Sequence, residues 1–177
     1  MREIPSSLSP APITEICTRR DTTRVCHAIL RAVSEENVAL VRRNYEVINS
    51  IDRSGEEFVD PEVAAPDLWA GLAPDFEISG RSDVPDARTY RGREESKEFW
   101  RMLQEIFTEL SWEPLEVTDL GDVVVAETRF VARGRGSDIQ VESDETDVFW
   151  FRDGRVVRVE GFPTKAEALE AVDASAG

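Results

Sequence analysis

The stretch VESDETDVFWFRDGRVVRVEGFP, residues 141–163, reads as two strand-like runs joined at Arg152-Asp153-Gly154-Arg155. Asp-Gly between alternating runs is the strongest short-range hairpin signal, because the two-residue turn that matches strand twist needs residues tolerant of positive φ. Period-two alternation puts Val141, Ser143, Glu145, Asp147, Phe149 and Phe151 on one face of the first run. Glu142, Asp144, Thr146, Val148 and Trp150 fall on the other. Large apolar groups occupy both faces near the turn, so neither face is purely solvent-facing. One face also carries two carboxylates two residues apart.

Outward from the hairpin, Pro163-Thr164 opens a short helix containing Ala166, Ala168, Leu169 and Val172. Thr164 is its expected cap, and Glu167 three residues on completes a capping box. Upstream, Trp112–Thr118 and Val123–Arg133 predict two more strands, closed by the turn residues 119–122 and 134–138. The run RGRGS at 133–137 looks like a phosphate cradle, but it lies between strands instead of before a helix, so a tight hairpin loop explains it better.

Further upstream, Phe99, Trp100, Leu103, Ile106, Phe107 and Leu110 make a wide apolar face that predicts a helix over 93–110. Residues 79–92 read as a long loop, and Phe76-Glu77-Ile78 as a short strand. Residues 51–74 are broken by Pro61, Pro66 and Pro74, with room for a short helix at 56–63 and a core-closing turn at Leu68, Trp69 and Leu72. Val38, Val41, Tyr45 and Ile48 recur at helical spacing, which predicts a helix from an N-cap at Ser34 to Ser50. This order predicts an α+β fold: a curved, mostly antiparallel sheet with helices on its concave face, leaving a cone open at one end.

The chain of 177 residues suits one domain with a real core, and its formal net charge is −15. So acidic a surface argues against nucleic-acid and membrane-surface partners. No apolar run approaches the roughly 20 residues that span a bilayer. Residues 1–33 differ from the rest, with five Arg against three acidic residues; the remainder holds 16 basic against 33 acidic residues. They read as a poorly ordered extension, with a short helix around 22–33, ahead of a domain at 34–177. They show no clean apolar stretch with a cleavage site, so a cytoplasmic location is expected. Cys17, Cys26 and His27 all lie in that extension. A thiol nucleophile, a His-based triad or a His/Cys metal site is therefore not expected in the main domain. Two cysteines leave room for a Cys17–Cys26 bond but form no disulfide framework.

Several pieces, taken in order, resemble the SnoaL-like members of the nuclear-transport-factor-2-like superfamily. They are ENVALVRRNYEVINSID (36–52), APDFEISG (73–80), TYRGREESKEFWRML (89–103), DLGDVVVAETRFVARGRGSDIQVE (119–142) and VFWFRDGRVVRVEGFPTKAEALEAV (148–172). The resemblance spans about residues 34–172. It implies the cone-shaped fold and a homodimer built through the outer face of the sheet. Fold alone does not dictate function here, since the superfamily includes isomerases, cyclases, hydrolases and dehydratases.

In ketosteroid isomerases, which share the superfamily, a protonated Asp before the last turn donates to an oxyanion. Their Asp-X-Phe-X-Phe pattern matches Asp147-Val148-Phe149-Trp150-Phe151. The resemblance thus places Asp147 inside the cone with Glu145 and Phe149. Two carboxylates among aromatics would each be pushed toward neutrality, making one a usable general acid or base. The isomerases' base would fall near Ser79 or Gly80, which lack that chemistry. Their oxyanion Tyr aligns closest to Asn44, one residue before Tyr45, and Tyr45 itself falls on the core stripe of its helix. An epoxide hydrolase's Asp-Arg-Asp set is not found.

Asp147 and Glu145 are therefore the candidate catalytic residues, with a structural carboxylate at the pocket mouth as the alternative role. Tyr45, Trp69, Phe76, Trp100, Phe107 and Phe149 are the candidate ligand-binding residues, or plain core. The other hairpin face, with Thr146, Val148, Trp150, Arg158 and Glu160, joined by Glu127 and Arg129 if the register allows, suits a dimer interface, with a solvated sheet face of cross-strand charge pairs as the alternative. The expected function is binding of a small, mostly apolar molecule, extended to carboxylate acid–base chemistry of a cyclase or isomerase kind, without metal or organic cofactor. The alternative is a non-catalytic ligand-binding or dimerisation module.

Overall fold

The computed structural model describes residues 23–81, 83–84, 87–137 and 139–175, with side chains from Ser34 onward. The Cys17–Cys26 pairing and the order of residues 1–22 lie outside the described residues. In chain order the elements are α1 (Thr23–Ser50), α2 (Pro61–Ala64), α3 (Pro66–Ala70), β1 (Leu72–Ser79), β2 (Thr89–Arg91) and α4 (Gly92–Ile106). Then follow β3 (Phe107–Asp119), β4 (Val123–Gly134), β5 (Gln140–Arg152), β6 (Arg155–Phe162) and α5 (Lys165–Ser175).

The quoted hairpin is β5–β6. Asp153 and Gly154 both take positive φ, 54° and 70°, the requirement of the turn that suits strand twist. One six-stranded sheet runs in the order β2-β1-β6-β5-β4-β3. Its pairs are antiparallel except β1 with β6, which run parallel. Two register shifts in β3, at 107/109 and 114/116, mark bulges, which bend and twist an edge strand. Pro114 sits in that edge strand, where a missing N–H is tolerated.

The fold matches the α+β expectation, with four local differences. α1 is continuous from Thr23, so Ser34 lies inside it and hydrogen-bonds Asp119 instead of capping a helix. In the proline-broken region α2 begins only at Pro61 where a helix over 56–63 is expected, and α3 stands where a turn at Leu68, Trp69 and Leu72 is expected; each has Pro at its start, where its missing N–H costs nothing. Thr89–Arg91, expected in a loop, pairs with Glu77–Ser79. α4 stops at Ile106, and Phe107–Leu110 are strand. Phe107 is extended, at φ −123° and ψ 143°, because cross-strand pairing with Gly134 outweighs its helical spacing.

The inner sheet face packs against α1 and α4. Val124, Ala126, Phe149, Phe151, Phe76, Ile78 and Val156 meet Val41, Tyr45 and Phe99 in one apolar cluster. The fifth helix departs from expectation by lying on the convex face. There Val125, Val148, Phe162 and Ala168 are buried together, flanked by Val123, Trp150 and Leu169. Thr164 and Glu167 form the capping box that starts it: the Glu167 N–H donates to Thr164 Oγ1, and the Thr164 hydroxyl donates to Glu167 Oε1. Val148 is thus fully buried within the chain rather than exposed for a partner. The rest of that face is charged. Glu127 lies opposite Thr146, so it and Arg129 point away from the cone, where Lys165 pairs with Glu127 and Arg129 with Asp144.

No helix among the described residues is long and apolar enough to cross a membrane.

Candidate functional site

The sheet and helices enclose a cavity of about 930 Å³. All eight candidate site residues line it: Tyr45, Trp69, Phe76, Trp100, Phe107, Glu145, Asp147 and Phe149. The alternation of β5 explains three of them, Glu145, Asp147 and Phe149. Asp147 pairs with Ala126 and Gly161, and Glu145 with Thr128, all on the concave face. The aromatic wall is a chain of ring contacts: Phe99 edge-on to Trp100 at 5.5 Å, Trp100 edge-on to Trp112 at 6.2 Å, and Trp112 tilted against Phe130 at 5.1 Å. Phe107 reaches this wall through Phe130, at 6.0 Å. The exposed lining residues Val84, Ile106 and Val141 mark its opening.

Tyr45 does more than pack. Its hydroxyl donates to Asp147 Oδ2 at 2.7 Å, while its ring stands edge-on to Phe149 at 5.9 Å. Asn44 lines the cavity too. The Asp147 carboxyl keeps some accessible surface toward the cavity, yet it is enclosed enough to be raised from 3.8 to about 7. Burial is the main cause, since a charge there loses its water; the negative Glu145 adds to it, and the Tyr45 hydrogen bond opposes it. Burial likewise pushes the Tyr45 hydroxyl well above its ordinary value. Tyr45 therefore stays a neutral donor at any working pH.

Glu145 is held from two sides. The Trp112 Nε1–H donates to its Oε1 at 2.6 Å, and Arg81 Nη1 lies 4.0 Å from its Oε2. Burial raises its carboxyl, against the pull of Trp112 and Arg81. Arg81 also donates to Ser143 Oγ at 3.3 Å and clasps Asp83 with two bonds. Gly161 makes room for this: a Cβ there would stand 3.2 Å from the Arg81 backbone nitrogen and 3.5 Å from Asp147 Oδ1.

Arg81, Trp112 and Gly161 are the parts that sequence reasoning misses. The β5 alternation puts Ser143 on the right face but gives it no role. Arg81 and Gly161 come from a loop and a neighbouring strand, and only tertiary packing brings them together. Ser79 and Gly80 line the cavity as well, and neither supplies a second proton-transfer group beside Asp147.

These contacts set the signs of two variants. Tyr45→Phe removes the bond that favours the Asp147 carboxylate, so Asp147 should titrate above about 7. Glu145→Gln keeps an acceptor for Trp112 but removes the neighbouring charge, so Asp147 should titrate below it. Carboxyl ¹³C titration by NMR checks both, and shifts in the same direction would contradict the arrangement.

A family model described as the SnoaL-like domain matches residues 56–159, more than half of the chain. The protein belongs to the SnoaL-like family, within the nuclear-transport-factor-2-like fold. Among solved structures, a putative SnoaL-like polyketide cyclase from Jannaschia sp. CCS1 is similar at 24% identity, with 77% of this chain and 90% of that one covered and a TM-score of 0.56. Bal32a, from a soil-derived mobile gene cassette, is similar at 20% identity, covering 78% and 97%, with a TM-score of 0.60. TerC, co-crystallised with polyporic acid, is similar at 18% identity, covering 78% and 98%, with a TM-score of 0.57. At these identities the likeness is one of fold. No curated protein matches the chain.

Proposed function

We propose that the protein binds a small, mostly apolar, oxygen-bearing molecule in the cone and moves a proton on it through Asp147. The observation that carries this is a carboxyl raised to about 7, facing an aromatic cavity and tied to a phenol. A group that titrates near neutral pH is both a competent acid and a competent base. As the carboxylate it accepts a proton from carbon beside a carbonyl. As the acid it gives that proton back, to carbon or to oxygen. Tyr45 holds the carboxyl in place and stabilises its charged form. Glu145 keeps it from ionising too early. Ser79 and Gly80, which line the same cavity, offer no second proton-transfer group, so the proton leaves and returns through this one carboxyl, with Glu145 beside it.

The Jannaschia structure's description as a polyketide cyclase and TerC's co-crystallisation with polyporic acid are compatible with an apolar, oxygen-bearing ligand here. A homodimer through the outer face would rest on the charged strip of Glu127, Arg129, Glu142 and Asp144, since α5 covers Val148.

The test uses 2-tetralone, an apolar aromatic ketone, in heavy water with NMR detection. Exchange of its α-hydrogens for deuterium should be accelerated by the protein and fall to the background rate in Asp147→Asn. Binding without exchange would favour the ligand-binding module instead, because the cavity would then work without chemistry.

A further inference from the structure

Three arginines line the cavity: Arg53, Arg81 and Arg88. Arg81 pairs with Asp83 at 2.6 Å and Arg88 with Glu98 at 2.7 Å. Among the described residues, Arg53 pairs with no carboxylate, in a protein with 36 acidic and only 21 basic residues. It is 5% exposed. Its Nη1 donates to the Ile51 carbonyl at 3.0 Å and its Nη2 to the Ile48 carbonyl at 2.8 Å, both at the C-terminal end of α1. Its Nε finds no partner. Arg135 lies beside it and is also satisfied by carbonyls alone, those of Arg53, Gly55, Gln104 and Phe107.

A buried cation with no counter-ion is costly, and two neutral carbonyls do not cancel its charge. Burial pulls its guanidinium down from its ordinary value, with no opposing cause. A guanidinium has five N–H groups, and two carbonyls leave most of them for an acceptor that no described residue supplies. Resting on the reading of the cone as a small-molecule site, we infer that Arg53 receives the carboxylate of an amphipathic, monoanionic ligand whose apolar body fills the cavity. One guanidinium matches one negative charge. Asp147 and Glu145, which line the same cavity, would repel a second. About 7 Å of helical rise separates Tyr45 from Ser50, with Arg53 beyond, so the two polar ends of the cavity would orient such a ligand. Its charged end would sit at Arg53 and its reactive oxygen at Asp147. The role for Arg53 is to set specificity by charge; it takes no part in proton transfer.

The probes are dodecanoate and 1-dodecanol, equal in chain length and different in charge, titrated calorimetrically into the full chain at pH 8. The wild type should bind dodecanoate about tenfold more tightly than dodecanol, the scale of one charge-assisted hydrogen bond. Arg53→Gln, which keeps donors for the helix carbonyls without the charge, should lose that preference and keep its affinity for dodecanol. Arg53→Met replaces it if the Gln variant does not fold, with dodecanol binding as the control for an intact cavity. Equal affinity of the wild type for both probes overturns the inference whatever the variants do, and so does a preference that survives loss of the arginine. Binding of neither probe would sink the small-molecule reading of the cone itself.

Discussion

Asp147→Asn is expected to stabilise the protein at pH 8 by up to about 4 kcal/mol and to change little at pH 3.5. In the folded chain the carboxyl is raised from 3.8 to about 7. Between those values the native state holds a proton that the unfolded chain has released. Stability therefore falls as pH rises through this window, by about 1.4 kcal/mol for each pH unit. Below it both states are protonated and there is no penalty. Above it both are ionised, and the full penalty of an enclosed carboxylate applies. Asparagine cannot ionise, and its carbonyl still accepts the Tyr45 hydroxyl, so the variant should lose most of this slope. Glu145, also raised by burial, should leave a smaller slope of the same sign.

The opposing term is the Tyr45 hydrogen bond, which favours the carboxylate. One such bond contributes about 1.5–3 kcal/mol. Burial and the Glu145 charge together outweigh it, which fixes the sign. Urea unfolding followed by tryptophan fluorescence at pH 4 and pH 8 measures the effect. A variant less stable than wild type at pH 8 would show that the hydrogen bond dominates and that Asp147 is an ordinary buried carboxylate. The stabilisation is also informative about function, because a site that costs stability is retained for some other reason.

Much of this site is legible from residues 141–163. Alternation alone places Glu145, Asp147 and Phe149 on one face, and the Asp-Gly turn fixes where the face ends. The aromatics of α1 and α4 follow from helical spacing. What spacing cannot supply is the partner of each polar group. Tyr45 lies on the core stripe of α1, and its hydroxyl finds Asp147 only because that helix packs against the inner face of the sheet. Arg81 and Arg53 sit in irregular segments whose positions depend on the loops that carry them. The end of α4 escapes helical spacing for a related reason: Phe107 and Leu110 continue the stripe, yet β4 offers them backbone pairs that spacing does not show. The outer face was legible as apolar, since Val148 and Trp150 stand out among charges. Its occupant was not, because a second copy and a C-terminal helix would cover the same residues.

Val148→Asp separates those two occupants, and the expected loss is large, about 4 kcal/mol or more at pH 8. Val148 is 0% exposed, packed with Val125, Phe162 and Ala168 beneath α5. A carboxylate there has no cation in the cluster to meet it. It must either stay charged in an apolar layer or hold its proton at a cost of several pH units. Against a domain stability of about 5–15 kcal/mol, that change unfolds a large share of the molecules. The loss should shrink below pH 4, where the introduced acid is neutral, and this distinguishes a buried charge from a simple defect in packing. Val63→Asp is the control: Val63 is 79% exposed, and its replacement should cost within about 0.5 kcal/mol. Were the face instead covered by a second copy, Val148→Asp would give a folded monomer whose unfolding midpoint matched that of the diluted wild type. A midpoint that falls equally at every protein concentration places the burial within one chain, under α5.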